Sequence, residues 1–193
     1  ETFSSGMGAI SATLMALLNQ GDHMVASADI YGGTYGLLTE EFPRFGISTT
    51  MADMRDPASY EAAIQDNTKL LYIETLTNPV LKVCDIEAMA DVAKRHNLLL
   101  LIDNTFASPW GCKPLDMGVD LVLHSTTKYL GGHSDILGGA VVGSKDLIAQ
   151  IFMRKVHFGA APDPHSCYLL ERGMRTLDVR MPRICENAHL LAQ

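Results

Sequence analysis

Between His124 and His133 the chain reads His-Ser-Thr-Thr-Lys-Tyr-Leu-Gly-Gly-His, directly after a strand-like run, Leu121 to His124. Hydroxyls and backbone N–H groups just past a strand can hold a phosphate. A lysine amine among them can form a Schiff base with a carbonyl. Ser125, Thr127 and Lys128 could therefore serve the phosphate and the aldehyde of one molecule. Four further places carry complementary groups. The Ser4-Ser-Gly-Met-Gly8 turn precedes a good helix former and offers an anion nest, although no Gly-Lys-Ser/Thr follows to make it a P-loop. Tyr31 stands beside two glycines that admit close approach, so its ring could stack on a planar ligand. Taken singly, an ordinary strand–helix turn and a core or interface tyrosine are the plainer readings of those two places. Glu74 and Asn78 follow one apolar strand, and Asp103 follows the most apolar one.

These groups need a scaffold that delivers them to one edge. Leu98 to Ile102 is a continuous apolar run, as a parallel strand covered on both faces requires. Further strands are predicted at 24–27, 47–51, 70–73, 121–124 and 138–143, with the first residues forming a strand tail. Helices are predicted from Ala9 to Leu18 and over 34–42. Another runs from Asp56-Pro57 through Ile64 (an N-cap followed by proline at the first helical position), and one runs from Asp85 to about His96. A short helix follows Pro114. Ser144 caps a helix through about Lys155 with Leu147, Ile148, Ile151 and Phe152 on its buried side. The segment from 165 to 193 reads as helical, with interruptions at Arg172-Gly173 and Met181-Pro182. Strand–helix alternation predicts an α/β fold, an open, mostly parallel sheet flanked by helices. Its carboxyl edge is where such sheets bind ligands, and Asp103 falls there.

Composition narrows the classes. The chain has 193 residues, 47% hydrophobic and 19% charged, enough for one sizeable core. A net charge of −7 argues against nucleic acid, which wants a basic face. No apolar run approaches the roughly 20 residues of a membrane span, so no membrane role is expected. Cys84, Cys112, Cys167 and Cys185 are too far apart for a metal knuckle, and the histidines form no metal-binding pair. The cysteines read as reduced thiols in a cytoplasmic protein, and no metal is expected. Glu1 to Ser4 resembles the tail of a strand, and Asn187 to Gln193 stops within helical sequence. A partial chain of a larger protein is the expectation.

Together the groups match the needs of pyridoxal phosphate. They comprise an anion nest, a stacking ring, an aldehyde-reactive amine and a carboxylate to keep the pyridine nitrogen protonated. Moreover, Ser4-Ser-Gly-Met-Gly-Ala-Ile10, Tyr31-Gly-Gly-Thr34, Glu74-Thr-Leu-Thr-Asn-Pro79, Asp103-Asn-Thr105, Ser125-Thr-Thr-Lys-Tyr129, Gly132-His-Ser-Asp135 and Arg172-Gly-Met-Arg-Thr-Leu177 resemble the Cys/Met-metabolism (transsulfuration) branch of pyridoxal-phosphate enzymes. That branch includes cystathionine gamma-lyase, methionine gamma-lyase, cystathionine gamma-synthase, cystathionine beta-lyase and the homoserine sulfhydrylases.

The resemblance implies a transferase-like fold type I large domain over 1–193, without the N-terminal segment and C-terminal small domain. It implies that Lys128 is the Schiff-base lysine and proton carrier, that Asp103 pairs with the pyridine nitrogen, and that Tyr31 stacks on the ring and assists proton transfer or thiol departure. Gly6 and Met7 would offer N–H groups to the phosphate, joined by Ser125 and Thr127. Asn78 would lie near the ring hydroxyl, and Glu74 would support the site from behind. The implied activity is gamma-elimination on cystathionine or a related sulfur amino acid, giving a thiol, a 2-oxo acid and ammonia. Gamma-replacement and methionine gamma-lyase activity are the alternatives. Gly33 stands where methionine gamma-lyases often carry cysteine, which tilts toward the cystathionine-type enzymes. An aminotransferase or decarboxylase of the same fold, or a non-catalytic module, fits these motifs less well. The resemblance also implies a homodimer or homotetramer whose neighbouring subunit completes the site, with the Tyr31 and Lys155–Pro164 regions as interface candidates. Its substrate-carboxylate arginine is expected outside these residues. Arg172, Arg175 and Arg180 read as helix-surface or interface residues.

Overall fold

The computed structural model describes residues 1–193. Seven strands form one sheet: β1 (Thr2–Phe3), β2 (His23–Ser27), β3 (Ser48–Ala52), β4 (Thr68–Glu74), β5 (Leu99–Asp103), β6 (Leu121–Ser125) and β7 (Gly139–Gly143). Their order is β1-β7-β6-β5-β4-β2-β3. The five strands from β3 to β6 run parallel, while β7 and β1 close one edge antiparallel. A mostly parallel sheet is what the apolar runs required.

Alternation along each strand divides those runs between two cores. Met24, Ala26, Leu70, Tyr72, Leu101, Leu121 and Leu123 face one side. Val25, Leu71, Ile73, Leu100, Ile102 and Val122 face the other. The first core is covered by α1 (Gly6–Leu17) and α6 (Lys145–Phe158). The second is covered by α3 (Pro57–Ala63) and α4 (Ile86–Arg95). Leu100, Leu101 and Ile102 are fully buried, and each such side chain contributes roughly 1.5–3 kcal/mol of transfer free energy.

The helix starts follow from their caps. Ser5 accepts from Gly8 N, Asp56 from Ala58 N with Pro57 following, Asp85 from Ala88 N, and Ser144 from Leu147 N. The predicted helix over 34–42 is divided instead. A short α2 (Gly32–Gly36) passes into a wide π turn, Leu37–Glu41, then a 3-10 turn at Phe42–Phe45. Pro43 has no N–H to extend a regular ladder. After β5 come α5 (Ser108–Gly111) and a 3-10 turn at Pro114–Met117.

Three expectations about the C-terminal helices are corrected. Gly173 does not interrupt; it lies within α7 (Pro164–Met174), because its missing Cβ lets the helix press against Gly131 O. The chain turns at Arg175 and Thr176 instead, and α8 (Leu177–Leu191) then runs straight through Pro182. In α6, Phe152 is 43% exposed rather than buried. Lys155 takes the inward place, pairing with Glu1 and lying near the rings of Phe3 and Phe152.

Strand order reverses between β2 and β4. From β2 the chain moves outward to the edge strand β3, then returns to the other side of β2 as β4 and continues to β5 and β6. Ligand crevices in open α/β sheets form outside the carboxyl ends of strands at such a reversal.

Candidate active site

The loop after β2 delivers Tyr31, the loop after β4 delivers Asn78, β5 ends in Asp103, and β6 runs into Ser125, Thr127 and Lys128. The first turn of α1 delivers Gly6 and Met7. All of these residues, with Glu74, line one cavity of about 310 Å³. That volume lies in the range of small-molecule sites, about 300–1,000 Å³. Every residue predicted for the site from sequence is therefore in it. A second, wider cavity of about 1030 Å³ shares Phe106, Thr127, Lys128 and Leu137 with the first. Lys128 stands where the two meet, and its amine makes no hydrogen bond or ion pair within the chain.

At the α1 end, Gly6 and Met7 occupy the first two helical positions, whose N–H groups have no intrahelical acceptor. Ser5 Oγ accepts from Gly8 N at 2.9 Å, so the turn is capped one residue further in. A Cβ on Gly6 would stand 3.1 Å from Ser125 Oγ, so glycine lets the helix end approach β6 closely. Thr127 is less free than expected. Its hydroxyl accepts from Gly138 N at 3.1 Å and lies 3.3 Å from Gly138 O, tying the turn to the start of β7.

The carboxylates differ in their partners. Asp103 Oδ1 accepts from Thr105 N at 2.9 Å and from Thr105 Oγ1 at 2.5 Å. Its Oδ2 has no donor, and no cation of the chain pairs with it. Burial pushes this carboxyl above the usual carboxylate range, with the two Thr105 contacts pulling the other way. Glu74, 4% exposed, splits its oxygens between two loops, with Oε1 accepting from Tyr31 N at 2.9 Å and Oε2 from Asn78 N at 3.0 Å. Burial and the neighbouring Asp103 push it up to about 7, against those two donors. An Asp29–Lys82 ion pair fastens the same two loops farther out.

Tyr31 is 45% exposed, at the cavity mouth. A Cβ on Gly33 would come within 2.6 Å of the Tyr31 ring and 3.1 Å of Met7 Sδ, so the ring lies over the glycine. At the back, His124 is buried and neutral at ordinary pH, its imidazole pushed down to about 4 by burial.

Sequence reasoning missed two contributors. Thr105 donates to Asp103 and accepts from Ser125 N at 2.8 Å, joining the ends of β5 and β6. Its place two residues after a strand-terminal aspartate was the available signal. Arg180 is the second, and it corrects the surface reading. Its guanidinium is half-buried and donates to Tyr129 O, next to Lys128, and to Gly173 O in α7.

A family model described as Cys/Met metabolism PLP-dependent enzyme matches residues 1–193. The chain belongs to this family. It is 49% identical over 191 residues to a cystathionine gamma-lyase of Bacillus subtilis, covering 98% of this chain and 50% of that protein. It is 46% identical over 192 residues to a probable cystathionine gamma-synthase of Herpetosiphon aurantiacus, covering 99% and 60%. Among solved structures, it superposes with a TM-score of 0.96 and 46% identity on a cystathionine gamma-lyase from Lactobacillus plantarum complexed with L-serine, covering 98% of this chain and 50% of that one. The chain thus spans about half the length of relatives it matches. The seven-stranded sheet with its helices is the fold type I large-domain architecture of the Cys/Met-metabolism family.

Family membership brings pyridoxal phosphate as the cofactor, and the cavity fits that group. A protonated pyridine nitrogen is the partner that a half-buried carboxylate with one undirected oxygen, Asp103 Oδ2, calls for. A phosphate matches the unpaired N–H groups at the start of α1, against which glycine lets Ser125 close.

Proposed function

We propose that residues 1–193 are the cofactor-binding large domain of a longer pyridoxal-phosphate enzyme that eliminates a thiol from the gamma carbon of cystathionine or a related sulfur amino acid. The observation that carries this reading is the placing of Asp103, with its undirected oxygen, and Lys128, with its free amine, in one cavity at the ends of neighbouring strands. When bound, the cofactor supplies an aldehyde for the amino-acid nitrogen and a cationic ring that accepts the electron pair left at Cα.

Each residue then has its task. Lys128 would hold the cofactor through its amine and, once freed, would take the substrate's Cα proton and carry it onward. Asp103 keeps the ring nitrogen protonated, and Thr105 aims it. Tyr31 stacks on the ring and, through its hydroxyl, assists the departing thiol. Gly6 and Met7 bind the phosphate through backbone N–H groups, with the hydroxyls of Ser125 and Thr127. Asn78 contacts the ring hydroxyl. Glu74 fixes the two loops that bear Tyr31 and Asn78. The products would be a thiol, a 2-oxo acid and ammonia.

A second reading, gamma-replacement by an incoming thiol, is kept because relatives of similar identity are named for both lyase and synthase. A homodimer or homotetramer is also proposed. Tyr31 at the mouth, Val80 and Leu81 in the loop after β4, and Phe152, Met153, Val156 and Phe158 on α6 are exposed apolar groups available to another subunit. No helix is long and apolar enough to cross a membrane; a cytoplasmic location remains part of the proposal.

The test uses the full-length protein. A visible absorption band from bound cofactor is expected, and Lys128→Ala should abolish it together with turnover of cystathionine. A protein without the band, or one whose band survives the substitution, sinks the assignment. A panel of cystathionine, methionine and activated homoserines, with and without added thiol, then separates elimination from replacement.

A further inference from the structure

We propose that Arg180 is a positioning residue for Lys128, one that locks the backbone turn carrying the lysine onto helices α7 and α8. The inference rests on the proposed role of Lys128 and deepens it.

The turn from Lys128 to Gly132 is short and internally bonded. Lys128 N donates to Ser125 O at 3.2 Å, Gly131 N to Thr126 O at 2.8 Å, and Gly132 N to Lys128 O at 2.8 Å. One more connection fixes it from outside. Arg180 Nη1 donates to Tyr129 O, the carbonyl next to Lys128, at 2.9 Å. The other arm, Nη2, donates to Gly173 O near the end of α7 at 2.9 Å, and Nε donates to Thr176 Oγ1 at 3.0 Å. Thr176 Oγ1 itself donates to Gly173 O at 3.1 Å, which holds that acceptor in register. One planar fork thus joins the turn, the end of α7 and the connection into α8. Lysine has no planar geometry with which to do this.

Close packing makes the clamp specific. A Cβ on Gly132, whose φ is +76°, would stand 2.2 Å from Arg180 Nη1. A Cβ on Gly173 would stand 2.2 Å from Gly131 O. The guanidinium therefore lies flat against Gly132 while α7 presses on Gly131, so the turn is packed from two sides. Arg180 pairs with no carboxylate and shares the wider cavity with Lys128. A residue needed only for helix solubility has no reason to divide its three donors among the turn, the end of α7 and the connection into α8.

The experiment compares Arg180→Ala, Arg180→Lys and Thr176→Val in the full-length, cofactor-loaded protein. Arg175→Ala is the control, since Arg175 pairs only with Glu171 on the surface. The readouts are the visible circular dichroism of the cofactor band, the rate at which apoprotein takes up added pyridoxal phosphate, and kcat and KM for cystathionine. Loss of the clamp should lower kcat about 10²-fold, the scale of a misplacement near 1 Å, with KM little changed. The dichroic band should weaken and cofactor uptake should slow. Arg180→Lys should recover part of each, and Arg175→Ala should match the parent. Thr176→Val, which frees Nε without removing the charge, should move the readouts in the same direction by less; it also decides the matter where Arg180→Ala does not fold. Unchanged dichroism, uptake and kcat beside a lower denaturation midpoint would assign Arg180 a purely structural part and overturn the inference. A parent protein with no visible band overturns the Lys128 assignment as well, whereas a normal band indifferent to Arg180 and Thr176 overturns only this one.

Discussion

Thr105 does two jobs with one hydroxyl, donating to Asp103 and receiving the Ser125 N–H. Removing it with little change of shape, as in Thr105→Val, leaves the Ser125 N–H without its partner and Asp103 Oδ1 with one donor in place of two. The cost of such an orphaned donor is about 1–3 kcal/mol. Urea unfolding of the parent and variant should show a loss of that size, together with weaker retention of cofactor. A neutral result would mean that water satisfies Ser125 N and that Thr105 contributes little.

At the scale of elements, the site is an assembly of loops at strand ends, and Glu74 joins two of them. Its carboxyl stands at about 7 in the fold against an ordinary 4.5, and Asp103 is displaced in the same direction. A carboxyl raised in this way keeps a proton that the unfolded chain has released. The stability it contributes is complete below about 4.5 and is lost as pH rises through about 7. Folding stability should therefore decline across that window, by at most about 1.4 kcal/mol per pH unit for each linked proton. Glu74→Gln should flatten the decline, although its amide can accept from only one of the Tyr31 and Asn78 N–H groups. Denaturant titrations at several pH values across the window test this; parallel curves for parent and variant would exclude Glu74 as the linked group.

At the scale of the whole molecule, α6 carries four exposed apolar groups close together in sequence. Phe152, Met153, Val156 and Phe158 are all more than two-fifths exposed. If another subunit covers them, Phe152→Asp combined with Val156→Asp should shift the full-length protein to a smaller assembly in sedimentation velocity. An unchanged assembly would place the interface elsewhere. Inside the fold, by contrast, burial is complete. Leu101→Ala at the sheet centre should cost about 2–5 kcal/mol, because close-packed neighbours collapse only partly into the space left.

The order of these strands and helices was legible in the sequence because local rules govern it. Apolar runs such as Leu98 to Ile102 demand two-sided cover, and Asp56-Pro57, Asp85 and Ser144 satisfy helix N–H groups within a few residues of themselves. Lys128, Asp103 and Tyr31, each with plainer uses when taken singly, were legible as candidates because strand order brings them to one edge of the sheet. The resemblance of the motifs then supplied the cofactor. Tertiary structure alone decided what depends on contacts across long stretches of chain. It set the reversal between β2 and β4 that opens the crevice, and the antiparallel edge at β7. It turned Phe152 outward and Lys155 inward, since Glu1 lies 154 positions away in sequence and no local pattern announces it. It carried α8 through Pro182, which local rules would have made a break. It also drew Arg180 to Tyr129 O, 51 positions away. Side-chain type tells what a residue can donate, but only the folded chain decides which acceptor lies within reach.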